Sequence, residues 1–233
     1  GRSALIRHML RETPVSFEFR RMVRKLTRQG RRIPRSILVT SSNRGEGKTT
    51  VAACLAISLA RHAEGKTVLV DCDLRKPRTH RLMEVNPKPG LSDAMKRGRL
   101  DDSDLKATAL DNLFVLPCGA QRDGASETIE SFPDSCVMSE LMARFDHVII
   151  DTAPNVAVPD ALLIGGAVDG VVMVIRAGET PREVVERGVA LQLEERENLI
   201  GVVVNNIEHV LPYYYDYKYY GYGHTESEEG SAG

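Results

Sequence analysis

The stretch Ile37–Thr50, ILVTSSNRGEGKTT, decides how the rest of the chain is read. Ile37, Leu38 and Val39 form a short apolar run of the kind that makes a buried strand, and VAACLAISLA, which follows Thr50, has the composition of an apolar helix. A glycine-rich loop joins the two. In a strand–GxxxxGK[ST]–helix arrangement, backbone N–H groups around Gly45, Glu46 and Gly47 wrap phosphate oxygens, and the helix N-terminus adds its partial positive charge. Lys48 then reaches the β- and γ-phosphates, Thr49 offers its hydroxyl to Mg²⁺, and Thr50 is counted with the nucleotide-contacting residues. Ser42 stands where the strict pattern has glycine, a place a small residue can fill.

Two further strand-like runs end in acids. Thr67–Val70 leads into Asp71-Cys72-Asp73, and His147–Ile150 into Asp151. In an open parallel sheet, ligands bind at the carboxyl edge of the strands, so these carboxylates are expected beside the phosphates and any Mg²⁺. Leu91–Leu105 reads as a helix, Leu113–Leu116 as a strand, and Gly170–Ile175 and Ile200–Val204 as buried strands. Asp160 is expected to cap a helix over Ala161–Ala167, and Thr180-Pro181-Arg182-Glu183 reads as a capping box opening a helix through about Glu195. Alternating strands and helices without an internal repeat predict an α/β fold with a mostly parallel sheet and helices on both faces. LRKPRTHRLMEVNPKP (74–89) reads as a basic surface excursion, and His80 within it lacks partners at metal-ligand spacing.

The formal net charge of −1 hides an asymmetry, because Gly1–Arg35 carries eleven Arg or Lys against two Glu. Phe19, Met22, Val23 and Leu26 make one apolar helical stripe, expected to pack on the sheet. Glu18, Arg21 and Arg24 flank it at steps of three, which fits a solvated charged flank as well as an interface. Cys54, Cys72, Cys118 and Cys136 are widely spaced, predicting reduced packing residues and a cytoplasmic setting. The chain opens at Gly1 without methionine, which suggests an excised piece of a longer protein. Three regions result: a basic N-terminal arm with its helix (1–35), the α/β domain (36–207) and a tail (208–233).

All seven tyrosines, Tyr213, Tyr214, Tyr215, Tyr217, Tyr219, Tyr220 and Tyr222, fall in that tail. Its glycines, charge and lack of periodicity predict an exposed, unstructured segment. Being acidic, it is a poor platform for nucleic acid, and no nucleic-acid partner is expected.

Taken together, ExxRxxR at Glu18–Arg24, GEGKT, VLVDCDLRKP, GLSDAM, VIIDTAP and the tyrosine cluster, in that order, resemble the bacterial tyrosine kinases, P-loop autokinases of capsule and exopolysaccharide export. The resemblance implies a P-loop NTPase-like fold and use of ATP and Mg²⁺. It implies that Thr49, Asp73 and Asp151 hold the metal, that Asp71 takes the proton of an incoming tyrosine, that Arg75 supports the site or a neighbouring subunit, and that Asn205 touches adenine. It implies a homo-oligomeric ring joined through Glu18, Arg21 and Arg24, a location at the inner face of the plasma membrane, a membrane activator or co-polymerase segment, and a phosphotyrosine phosphatase as partners. Arg44 departs from the family, which often has proline there, and the proline-rich sequence usual at 121–126 is missing. Each phosphate added to an acidic tail facing Asp71, Asp73 and Asp151 is expected to repel it.

Two competing readings remain at the level of sequence. One is a dimerising switch ATPase of the partition or septum-placement type, against which stand Asn43, where those proteins carry a lysine, and the tyrosine tail. The other is a nucleotide-binding assembly protein without kinase activity.

Overall fold

β1 (Ser36–Ser41) is the strand that feeds the glycine-rich loop, and it lies deep inside a seven-stranded sheet. The other strands are β2 (Thr67–Asp71), β3 (Lys106–Ala107), β4 (Leu113–Leu116), β5 (His147–Asp151), β6 (Gly170–Arg176) and β7 (Leu199–Asn205). They are ordered β3-β4-β2-β5-β1-β6-β7, and every pairing is parallel except the short β3–β4 edge. This computed structural model describes residues 3–26, 33–120, 124–196 and 198–207. All seven tyrosines therefore lie outside the described residues, as do residues 27–32.

α3 (Lys48–His62) explains the apolar run after the loop. Val51 to Ala60 are all buried, because the helix has the sheet on one side and a second layer of helices on the other. A helix that is apolar all round belongs in such a place. The outer layer is α1 (Ala4–Leu10), α2 (Pro14–Leu26) and α4 (Thr79–Met83). The stripe Phe19, Met22, Val23 and Leu26 is real, but it packs on α3 instead of directly on the sheet, since α3 already occupies that face. Arg61 at the end of α3 donates to the Met9 carbonyl, and the Ser3 hydroxyl donates to the Leu82 carbonyl at 2.9 Å, so α1 is tied to both neighbours.

The opposite face of the sheet is covered by α5 (Leu91–Arg97), α6 (Ala125–Ser131), α7 (Cys136–Arg144) and α8 (Asp160–Gly165), with α9 (Arg182–Glu195) beside α8. The helix expected over Leu91–Leu105 stops at Arg97. Gly98 takes a left-handed φ of +70°, and Asp104, buried, accepts from the Asp101 N–H at 2.9 Å and pairs with Arg97, so the chain turns there. Cys54, Cys72 and Cys118 are buried thiols, as expected, while Cys136 is exposed.

β7 departs from the expectation of a buried strand. It is the sheet edge, and Ile200, Val202 and Val204 are 38, 43 and 47% exposed. With Phe19, Met22 and Leu26 of α2, the strand lines a groove of about 680 Å³.

The register places function as well as core. Asp71 pairs across from Asp151, and Asp151 from Val39, so the ends of β2, β5 and β1 finish side by side. Leu55 is fully buried in α3. Leu55→Ala should lower stability by about 2–5 kcal/mol, seen as a lower urea midpoint at an unchanged denaturant slope.

Candidate active site

The loop between β1 and α3 has a shape that glycine makes possible. Gly45 and Gly47 have φ of +86° and +93°, and a Cβ on Gly47 would lie 2.2 Å from Asn205 Nδ2. Asn205, at the end of β7, donates from Nδ2 to the Glu46 carbonyl at 2.9 Å. The Glu46 side chain turns inward and is 3% exposed; its carboxylate accepts from the Asn43 N–H at 2.7 Å and from the Thr180 hydroxyl. Thr180 in turn accepts from the Arg176 N–H at 3.0 Å. The capping box read at Thr180–Glu183 is therefore not made: its hydroxyl is spent on the loop, and α9 begins after Pro181 without a side-chain cap. Nothing in the local sequence separates a threonine cap from a threonine strap, because the partner lies 134 residues away.

Lys48, at the first turn of α3, reaches across to the acids. Its Nζ is 2.8 Å from Asp73 Oδ2 and 3.7 Å from Asp151 Oδ1. Burial pushes this ammonium down, and Asp151, Asp73 and Asp71 together more than reverse that, so its pKa lies above the usual lysine value. Asp71 is fully buried; its oxygens accept from the Asp73 N–H at 3.3 Å and the Thr79 N–H at 3.1 Å. Burial, followed by the charge of Asp151, raises its pKa to about 8 against the pull of the Thr79 N–H. Burial likewise raises Asp151 to about 6, opposed by Lys48 and the Thr49 hydroxyl. Both Asp151 oxygens are buried and accept no hydrogen bond of ordinary geometry.

Among the described residues no three His, Cys, Asp or Glu side chains converge as a metal-binding cluster. Mg²⁺ held jointly with a nucleotide takes one or two carboxylates and completes its octahedron with phosphate oxygens and water. The buried Asp151 oxygens, with Lys48 Nζ 3.7 Å from Oδ1, Asp73 beside them and the Thr49 hydroxyl 3.4 Å from Lys48 Nζ make a donor set of that kind.

A cavity of about 900 Å³ opens over this cluster, lined by Gly45, Gly47, Lys48, Thr49, Thr50 and Asp73 on its floor. Arg75 stands in its wall, with Nε 3.4 Å from Asp160 Oδ2 and Nη2 2.9 Å from the Ser126 hydroxyl. Asp160 is thus the buried anchor of Arg75 and not a helix cap; α8 starts at Asp160 itself. The structure brings Gly45, Glu46, Gly47, Lys48, Thr49, Asp71, Asp73, Asp151 and Asn205 together. Glu18 and Arg21 lie elsewhere, on α2, paired with each other at 3.1 Å. Thr180, Asp160, and the cavity-lining cations Lys76, Arg78 and Arg81 were not picked out by sequence as site residues. The last three were visible only as a basic surface run.

Comparison with known proteins gives the family and the fold. A family model described as ParA, NUBPL iron-transfer P-loop NTPase, matches residues 32–231. Tyrosine-protein kinase YwqD of Bacillus subtilis (strain 168) is 32% identical over 187 residues, 80% of this chain and 78% of that one. Tyrosine-protein kinase CpsD of Streptococcus pneumoniae is 35% identical over 188 residues, 79% of this chain and 82% of that one. Among solved structures, the chimerical protein CapA2B2 superposes with a TM-score of 0.76 at 31% identity, covering 83% of this chain and 85% of that one.

Two outcomes test the site. Asp71 has a folded pKa of about 8 against 3.8 in a free chain, so the folded state holds its proton over that interval and loses relative stability as pH rises through it. The melting temperature of Asp71→Asn minus that of the wild type should therefore increase between pH 5 and pH 8.5. Thr180→Val removes a donor from the buried Glu46 carboxylate; it should cost about 1–3 kcal/mol and weaken ADP binding by calorimetry, with Thr180→Ser restoring both.

Proposed function

The chain belongs to the bacterial tyrosine-protein kinases within the ParA-type P-loop NTPases, and from that premise we propose that it transfers the γ-phosphoryl group of ATP to tyrosine, its own C-terminal cluster first. The observation that carries this reading is one buried constellation: a phosphate loop, its Lys48, and Asp71, Asp73 and Asp151 on adjoining strand ends under a single cavity. Phosphoryl transfer needs mainly positioning and neutralisation of charge.

In this reading the loop N–H groups around Gly45, Glu46 and Gly47 and the N-terminus of α3 hold the phosphates, with Thr50 at the loop's end. Lys48 leaves its carboxylate partners to bridge the β- and γ-phosphates. Thr49, Asp73 and Asp151 would hold Mg²⁺, which would supply neutralisation of charge across the phosphates. Asn205 keeps a second N–H on Nδ2 for adenine. The phenolic oxygen of tyrosine forms a bond to the γ-phosphorus as the bond to the β-phosphate oxygen breaks, and ADP departs with that electron pair. The phenolic proton, with a pKa near 10 in the free side chain, passes to Asp71. With a pKa of about 8, Asp71 accepts that proton through the ionised fraction present near neutral pH. Arg75, fixed by Asp160, faces the transferred group or the incoming chain.

Glu18, Arg21 and Arg24 join copies in a ring that presents each tail, Tyr213 to Tyr222, to a neighbour's cavity at high effective concentration. The chain works at the inner face of the plasma membrane with a polysaccharide co-polymerase activator, and a phosphotyrosine phosphatase reverses its modification. Among the described residues no helix is long and apolar enough to cross a membrane. The basic arm adds attraction to an anionic leaflet.

With Mg-ATP the wild type should gain phosphotyrosine by blot and intact mass. Lys48→Ala should gain none, and Asp71→Asn should bind ATP while transferring about 10²–10⁴-fold more slowly. Mixed with an active chain whose seven tyrosines are replaced by Phe, Lys48→Ala should become phosphorylated; if the two co-assemble and it does not, transfer between copies is wrong. A wild type that binds ATP and makes no phosphotyrosine would favour the nucleotide-switch reading, which the ParA match supports.

A further inference from the structure

Helices α1 and α4 meet end to end, and each supplies what the other's terminus lacks. The first N–H groups of a helix and its last carbonyls have no partner within it. Ser3 stands at the N-cap of α1 without capping it; its buried hydroxyl donates instead to the Leu82 carbonyl, in the last turn of α4, at 2.9 Å. In return the Glu84 carboxylate, just past α4, accepts the Ala4 N–H from the first turn of α1 at 2.9 Å. A carboxylate there also has the sign that a helix N-terminus favours. Ile6 and Met9 of α1 and Met83 of α4, all buried in one apolar cluster, close the contact.

Glu84 holds this place in a backbone conformation that disfavours it. Its φ is +53°, and among the described residues Asn206 is the other non-glycine with a positive φ. Past the end of a helix that conformation ordinarily belongs to glycine or asparagine. A residue kept in a disfavoured region is held there by its surroundings, and what holds Glu84 is the use of its carboxylate on α1.

The other end of α4 reaches the acids. Thr79, fully buried in its first turn, gives its N–H to Asp71 Oδ2 at 3.1 Å, while Arg78, Arg81 and Leu82 form part of the cavity wall. α4 is only five residues long, too short to be stable by itself, so what fixes its C-terminal end also fixes its N-terminal end. We infer that Ser3 and Glu84 are positioning residues: by joining α1 to α4 they hold the Thr79 N–H on Asp71 and Leu82 in the wall, and so set the rate of transfer and not the affinity for nucleotide. Neither residue belongs to the loop between β1 and α3 that holds phosphate. The effect on transfer rests on the kinase reading above; the joint between the helices does not.

The test compares the full chain with Glu84→Gly, Glu84→Gln and Glu84→Gly/Ser3→Ala. Hydrogen exchange of the Thr79 amide, followed by NMR with ADP bound, should be faster in Glu84→Gly, faster again in the double variant, and close to the wild type in Glu84→Gln, where an amide oxygen can still accept the Ala4 N–H. Glycine relieves the backbone while removing the carboxylate, so a purely local role for residue 84 predicts exchange no faster than in the wild type. At saturating Mg-ATP the double variant should make phosphotyrosine about tenfold more slowly or worse, since a misplacement of about 1 Å can cost about 10²-fold. ADP affinity by calorimetry should be unchanged, and Glu84→Gln should keep the wild-type rate. Unaltered exchange at Thr79 in the double variant, or transfer that falls only in step with ADP affinity, overturns the inference. A wild type that makes no phosphotyrosine, with exchange at Thr79 faster in the variants, defeats the kinase reading and leaves the joint; a wild type that makes phosphotyrosine no faster than the double variant does the reverse.

Discussion

One lysine among three carboxylates organises this molecule. Lys48 Nζ sits 2.8 Å from Asp73 and 3.7 Å from Asp151, with Asp71 behind them, all at the edge of a packed sheet. Buried charges of one sign repel strongly where the dielectric is low, and the cluster persists because Lys48 offsets two of them while Asp71 holds its proton more tightly than a free carboxylate. In the kinase reading proposed above, a phosphate chain on the loop would compete for Lys48, and a divalent cation for the carboxylates it releases.

Such a cluster needs a rigid floor, and the sheet register supplies it. Parallel pairing of β2 with β5 and of β5 with β1 brings Asp71, Asp151 and the start of the loop into one row. α3 presses that row from one face, itself enclosed by α1, α2 and α4. The N-terminal helices thus complete the core around the helix that carries Lys48, and the basic character of the arm sits on a structural element.

The loop is also braced from the far side of the chain. Glu46 is fastened by Thr180, and its carbonyl by Asn205, the last residue of β7. The tail leaves two residues later, from the same edge. The geometry of the phosphate loop and the point of departure of the tyrosine segment therefore share one hydrogen-bonded strap.

Much of this was legible in the sequence, because the informative signals are local. GEGKT, the acids closing VLVD and VIID, and the alternation of strands and helices need only short-range chemistry, and they are enough to specify an α/β fold with a phosphate loop and carboxylates at one edge. The apolar stripe of α2 was equally plain; which surface it covers was not, since that depends on α3 having taken the sheet first. Thr180 and Asp160 each looked like helix caps and proved to be partners of Glu46 and Arg75, at separations of 134 and 85 residues. Gly98 closed a helix that the apolar pattern extended, and β7 became an edge because no strand follows it among the described residues. Sequence thus determined which chemistry the chain carries. Tertiary structure alone decided which of its charges are buried, which are paired and which face outward, because burial and pairing are set by neighbours remote along the chain.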